Sequence, residues 1–175
     1  RPGEAFFALP GAATDGALFA LKAAGAGAVL VIGEGARPAD LPAHIAYARV
    51  PDARLALAKA AAYVFPRQPG VIVAVTGTAG KSSVAEFSRQ VFEALGHEAA
   101  SIGTLGVATR KGLDYGGLTT PDPVSLHRRI DALAGEGCTH LAIEASSHGL
   151  DQRRLDGLRL SAAAFTNLGR DHLDY

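Results

Sequence analysis

Residues 77–83 read GTAGKSS and place two glycines, a lysine and two serines in one short run. That set can bind an anion. Glycines let the backbone approach a ligand closely. The Lys81 ammonium can neutralise a terminal phosphate, and the Ser82 hydroxyl beside it can bind Mg²⁺. The apolar run VIVAVT at 71–76 precedes the loop, and a helix-like pattern follows it. Backbone N–H groups at a helix N-terminus are unpaired, and the helix dipole adds partial positive charge there. Nucleotide phosphate binding is therefore the chemistry expected of this loop. One departure stands out. The general phosphate loop has Gly six residues before the Lys, where this chain has Val75. A Gly-rich turn with a solvated lysine would explain the glycines but not the Lys–Ser pair.

Three further stretches carry chemistry. Glu144 ends the apolar run THLAIEA at 139–145, just before Ser146, Ser147, His148 and Gly149. In open α/β sheets ligands bind at the carboxyl ends of strands. A carboxylate there can hold Mg²⁺ or pair with an arginine, and the neighbouring phosphate loop favours the metal. Arg153 and Arg154, in DQRR at 151–154, could clamp a carboxylate or phosphate, although one of two adjacent arginines is usually solvated. In TNLGRDHLDY at 166–175, His172 with Asp171 and Asp174 could form a second metal site; a lone His is more often structural. Thr119 and Thr120 lie in GGLTTPDP, which taken alone is turn chemistry. Cys138 reads as a small buried apolar residue.

The elements that must position these groups alternate strand and helix. Residues 6–9 are a short apolar run closed by Pro10-Gly11. Asp15-Gly16 can cap a helix over 17–24, and 28–32 read as a buried strand. A looser stretch with Pro38, Pro42 and Pro51 follows, then a helix over 53–64. FPRQPG at 65–70 is the best linker, which places a domain boundary near residue 68. Beyond it come a strand at 71–76 and a helix over 82–95 with Val84, Phe87, Val91, Phe92 and Leu95 at helical spacing. A single strand is expected over 101–107. Asp122-Pro123 starts a helix as N-cap and N1. Further strands are expected at 139–145 and 161–168. The alternation predicts an α/β fold with a mostly parallel sheet.

Composition narrows the partners. The 17 Lys and Arg balance 17 Asp and Glu, so nothing suggests a nucleic-acid binder. With 48% hydrophobic residues the chain is not disordered, and no apolar run is long enough to span a bilayer. The single cysteine excludes an internal disulfide and fits a reducing compartment. The chain starts at Arg1 and contains no Met, which suggests a trimmed or partial chain.

VTGTAGKSS at 75–83, TTPDP at 119–123, EASSHGLDQRR at 144–154 and FTNLGRDHLDY at 165–175 together resemble the Mur ligases. These are the ATP-dependent amide-bond-forming enzymes of peptidoglycan synthesis. Order and spacing fit the branch that adds the third residue of the stem peptide, and PGEAFFALPGAATDG at 2–16 looks like that branch's uridine-binding domain. The resemblance implies a small N-terminal α/β UDP-substrate-binding domain over 1–68. Part of a central ATP-binding domain over 69–175 would follow, with the C-terminal domain absent. It implies that Gly77, Thr78, Ala79, Gly80, Lys81, Ser82 and Ser83 hold the ATP phosphates, with Lys81 on the γ-phosphate. It implies that Ser82, Glu144 and His172 bind magnesium. Thr119, Thr120, Ser146, Gln152 and Arg154 match positions that contact the UDP-linked dipeptide. The implied cofactors are ATP and Mg²⁺. The implied partners are UDP-MurNAc-L-Ala-D-Glu and meso-diaminopimelate or lysine, taken up by a cytoplasmic monomer without nucleic acid or membrane. The family loop usually reads GTNGKT, so Ala79 and Ser82 depart from it, as does Gly169 where Ser is common. The hydroxyl needed at 82 is kept. A carbamylated magnesium-binding lysine and the amino-acid-binding domain would lie past Tyr175, so the 175 residues alone are expected to be inactive. A folylpolyglutamate-type ligase, or a noncatalytic nucleotide-binding module, is the alternative.

Overall fold

The computed structural model describes residues 2–11, 14–115 and 118–170. The chain forms two compact units, Arg1–Leu57 and Ala58–Tyr175. The division falls inside a helix, before the proline-rich run near residue 68. Residues 65–70 are not a free linker: Arg67 pairs with Asp131 at 2.7 Å, and the Gln68 amide donates to Gly157 O and accepts from Arg159 N. These bonds tie the run to the second unit.

In the first unit β1 (Ala5–Phe7), β2 (Leu30–Gly33) and β3 (Ala46–Arg49) form a parallel sheet in that order. The Asp15 carboxylate caps a 3-10 turn over Gly16–Phe19 through Ala17 N at 2.8 Å, and α1 (Ala20–Gly25) continues from it. Ala8, Ala20, Val31, Leu41 and Ile45 make the core. Strand β3 was not expected. Its residues AYAR carry no apolar run, and pairing to β2 is what makes it a strand.

Helix α2 (Ala53–Val64) leads into the second unit. There β4 (Val71–Thr76), β5 (Ala99–Gly103), β6 (Gly106–Thr109), β7 (Gly112–Asp114), β8 (His140–Glu144) and β9 (Ala162–Phe165) form one sheet. The order is β7-β6-β5-β8-β4-β9, with β5, β8, β4 and β9 parallel. The stretch 101–107 is therefore not one strand. Ile102 pairs back onto Val107, and Gly103 onto Gly106, as an antiparallel hairpin turning at Thr104-Leu105. Gly106 has a φ of 104°, which a β-branched residue would not tolerate. Strand β8 is central. Leu141 and Ile143 are fully buried, and they pack with Ile72, Ile102, Leu126 and Ile130. Among the described residues no helix is long and apolar enough to cross a membrane.

Helix α3 (Lys81–Ala94) follows β4, α4 (Pro123–Gly135) follows the TTPD turn, and the short α5 (Ser147–Asp151) follows β8. Asp122 caps α4 by accepting from Ser125 N at 3.0 Å, with Pro123 in its first turn as expected. Within the apolar stripe of α3, Phe92 reaches the sheet, its ring 4.8 Å from that of His140, and the rest does not. Val84, Phe87, Val91 and Leu95 are exposed, and Ala85 alone is fully buried. Polar bonds fix the helix to the sheet. Arg89 bridges Glu86 and Glu93, and the Ser101 hydroxyl of β5 donates to Glu86 at 2.9 Å.

The Arg89 guanidinium beside Glu86 holds its carboxyl down at about 2, against an ordinary value of 4.5. A group whose folded value is depressed stabilises the fold above its unfolded value and loses that contribution as pH falls through the folded one. The stability of the full-length protein should therefore decline between pH about 4.5 and about 2, and Glu86→Gln should flatten that part of the curve. Unfolding midpoints measured across the window check this.

Candidate phosphate-binding and phosphoryl-acceptor site

The site grows from the carboxyl ends of four neighbouring parallel strands. Val75 of β4 lies opposite Glu144 of β8, Thr76 lies opposite Phe165 of β9, and Ile102 of β5 lies opposite Ile143. The residues that follow emerge along one edge, as ligand sites of parallel sheets do.

The loop after β4 is held from behind by the segment after β9. Asn167 Oδ1 accepts from Ala79 N at 3.0 Å, and its Nδ2 donates to Ala79 O at 3.0 Å. The Thr166 hydroxyl donates to the same carbonyl at 2.7 Å, and Thr78 N donates to Asn167 O at 2.9 Å. Gly169 N donates to the Thr78 hydroxyl at 2.8 Å. Gly77 needs to be glycine: its φ is 129°, and a Cβ there would collide with the Thr166 hydroxyl. Gly80, at φ 86°, opens α3 without a side-chain cap, leaving the helix end to an anion. Lys81 Nζ donates to Gly77 O at 2.7 Å and Thr78 O at 3.1 Å, which folds the ammonium back over the loop. The Gly missing at 75 is thus immaterial here, because Val75 is a buried strand residue and the turn begins at Gly77.

Glu144 faces the loop and is only 3% exposed. Its Oε1 accepts from Thr104 N at 2.9 Å, and its Oε2 lies 3.2 Å from the Thr104 hydroxyl. Among the described residues no arginine pairs with it. Behind it sits a second network. The Thr120 hydroxyl donates to Glu144 O at 2.9 Å and accepts from Ser146 N at 3.0 Å, with the Ser146 hydroxyl 3.0 Å away. Ser146 also caps α5 through Gly149 N at 3.1 Å. Arg154 Nη1 donates to Thr120 O at 2.6 Å, and its other nitrogens hold Gln152 Oε1.

A cavity of about 360 Å³ opens between these groups. From the loop Gly77, Thr78, Gly80, Lys81 and Ser82 line it, and Glu144, Thr119 and Ser146 line the other side. Ala79, Ser83, Thr120, Gln152 and Arg154 do not line it. Thr120 is buried and, with Arg154 and Gln152, props the loop that presents Thr119. His172, with Asp171 and Asp174, lies outside the described residues. Among the residues that the motifs left without a role, Thr104, His148 and Asn167 line the cavity, and Thr166 braces the loop. Their common signal is position just past the end of a parallel strand. Thr104 was hidden because its segment read as a continuous strand.

Ser82 and Glu144 bring a hydroxyl and a carboxylate to one cavity, and such hard oxygen donors suit Mg²⁺. Among the described residues no group of three or more His, Cys, Asp or Glu stands together as a metal site. Cys138 is half-buried, and burial raises its thiol pKa, as expected of an inert core cysteine.

A mostly parallel sheet with a glycine-lysine-serine loop at its carboxyl edge defines an α/β domain of the phosphate-loop class. The family model of the Mur ligase middle domain matches residues 75–175, and the chain belongs to the Mur ligase family. The chain is 58% identical to the UDP-N-acetylmuramoyl-L-alanyl-D-glutamate–2,6-diaminopimelate ligase of Bradyrhizobium diazoefficiens, over all of this chain and 36% of that protein. It is 56% identical to the ligase of the same name from Agrobacterium fabrum, over 99% of this chain and 35% of that protein. It therefore spans little more than a third of the length of these relatives. A solved structure of a UDP-N-acetylmuramoyl-L-alanyl-D-glutamate–2,6-diaminopimelate ligase superposes with a TM-score of 0.81 at 31% identity, covering 99% of this chain and 35% of that one. MurF ligase from Thermotoga maritima, solved in complex with ADP, shares the fold with a TM-score of 0.61 at 24% identity, over 99% of this chain and 36% of that one.

Gly77→Ala should strain the left-handed turn by about 1–3 kcal/mol and push Thr166 off Ala79 O. The expected outcome in the full-length protein is at least a tenfold loss of ATP affinity, about 1.4 kcal/mol, read by titration with a non-hydrolysable analogue.

Proposed function

We propose that the protein carrying this chain is a UDP-N-acetylmuramoyl-tripeptide synthetase, an ATP-dependent ligase that adds meso-diaminopimelate to UDP-MurNAc-L-Ala-D-Glu. The observation that carries this reading is the shared cavity. The phosphate loop, Glu144 and the Thr119–Ser146 face all open onto it, so a nucleotide and the carboxylate that accepts its phosphoryl group can meet there. The names of the relatives support the choice of meso-diaminopimelate over lysine.

In this mechanism the γ-phosphoryl group passes to the D-Glu carboxylate, the amine attacks the acyl phosphate, and phosphate leaves. Catalysis of phosphoryl transfer is mainly positioning and charge neutralisation. The N–H groups opening α3 receive phosphate oxygens. Lys81 exchanges its contacts with Gly77 O and Thr78 O for the γ-phosphate. Ser82 and Glu144, with His172, would hold Mg²⁺, which when bound draws charge from the phosphate being transferred. Thr119 and Ser146 contact the UDP-linked dipeptide, and Thr120, Gln152 and Arg154 keep their loop in place. The N-terminal unit receives the uridine end. The enzyme works as a cytoplasmic monomer, with no nucleic-acid or membrane partner.

The test is phosphate release by the full-length protein supplied with ATP, Mg²⁺, UDP-MurNAc-L-Ala-D-Glu and a panel of amino acids. Turnover is expected with meso-diaminopimelate. Lys81→Ala should lower kcat by about 10²–10³, the scale for removing one donor to developing charge. Turnover driven instead by a tetrahydrofolate and glutamate would defeat the proposal, as would a Lys81→Ala enzyme of unchanged rate.

A further inference from the structure

Thr104 stands between the two halves of the cavity, at the turn of the β5–β6 hairpin. Its backbone N–H donates to Glu144 Oε1 at 2.9 Å. Its hydroxyl lies 3.2 Å from Glu144 Oε2 and 2.9 Å from the Thr119 hydroxyl. The residue before it makes this possible. Gly103 leaves the space that the Glu144 side chain fills, and a Cβ there would overlap the carboxylate. Both oxygens of a nearly buried carboxylate are thus addressed by one residue.

The direction of these bonds follows from proton counting. An ionised carboxylate only accepts, and a hydroxyl has one proton. Thr104 therefore donates to Glu144, and its oxygen accepts from Thr119. A cation on Glu144 weakens that carboxylate as an acceptor. A ligand that takes the Thr119 proton removes the donor to Thr104 and, by loss of cooperativity along the chain, changes its bond to Glu144. The two ends cannot change independently.

We propose that Thr104 is a positioning residue that holds the Glu144 carboxylate ready for a divalent cation and couples it, through its hydroxyl, to the Thr119 loop that contacts the UDP-linked dipeptide. The proposal rests on the ligase reading above. Linkage makes the coupling reciprocal: magnesium nucleotide alters the affinity for the UDP-dipeptide by the factor with which the UDP-dipeptide alters that for magnesium nucleotide.

The experiment is calorimetry on the full-length protein. AMP-PNP is titrated with and without Mg²⁺, and UDP-MurNAc-L-Ala-D-Glu with and without Mg²⁺–AMP-PNP. Thr104→Val should cut the Mg²⁺-dependent gain in AMP-PNP affinity about tenfold or more, the scale for loss of an orienting partner to a metal ligand. It should also bring the ratio of the two UDP-dipeptide affinities toward one. Thr104→Ser should restore both, and Thr104→Ala, which keeps the backbone N–H, should behave as Val does. Wild-type values in Thr104→Val, or a Thr104→Ser protein as impaired as Thr104→Val, would overturn the proposal. A wild-type protein that binds Mg²⁺–AMP-PNP but not the UDP-dipeptide would defeat the ligase reading, while the AMP-PNP arm would still decide whether Thr104 holds Glu144.

Discussion

Parallel pairing of β4 with β8 and β9, and of β8 with β5, is the constraint on which the rest of the site depends. Parallel strands end side by side, so the residues just past each end form a row. With Val75 opposite Glu144 and Thr76 opposite Phe165, the phosphate loop, the carboxylate and the Thr166–Asn167 brace fall together. A slip of one residue would turn Glu144 to the other face of the sheet and take it out of the cavity. The buried aliphatic side chains of β8 specify that register, because the same slip would exchange the faces they present.

The edge built this way is polar, and its stability comes from paired groups. A carboxyl group that is 3% exposed is costly unless hydrogen-bonded, and Thr104 supplies a bond to each of its oxygens. The phosphate loop is stiff for a related reason. The peptide groups of Thr78 and Ala79 are tied to Asn167 and Thr166, so a segment containing two glycines keeps one conformation. A loop already ordered loses little entropy when a phosphate arrives. The acceptor side is preorganised through Thr120, which joins the β8 carbonyl, Ser146 and Arg154 in one network.

Much of the fold was legible because the signals were local. The apolar run VIVAVT forms β4, Ala53–Val64 forms α2, and Asp122 with Pro123 opens α4. Elements whose identity comes from a partner were not legible. Strand β3 and the short β7 exist through pairing, and the β5–β6 hairpin hides in a stretch that reads as one strand. The stripe on α3 shows the limit of periodicity. It marks one side of the helix correctly, yet most of that side is exposed, and the sheet contact is made by Ala85, by Phe92 against His140 and by the Ser101–Glu86 bond.

The sequence by itself determined where an anion-binding loop would stand, because a glycine-lysine-serine run between strand and helix is contiguous in the chain. It also determined family membership, through four motifs whose order is a property of the chain. Only the tertiary structure decided where those motifs stand around the cavity. It put Thr119 and Ser146 at the cavity and Thr120, Gln152 and Arg154 behind it, and it set Thr104 against Glu144 across forty positions of chain. Such roles depend on which strand ends lie side by side, and strand order is fixed by packing between segments far apart in the chain.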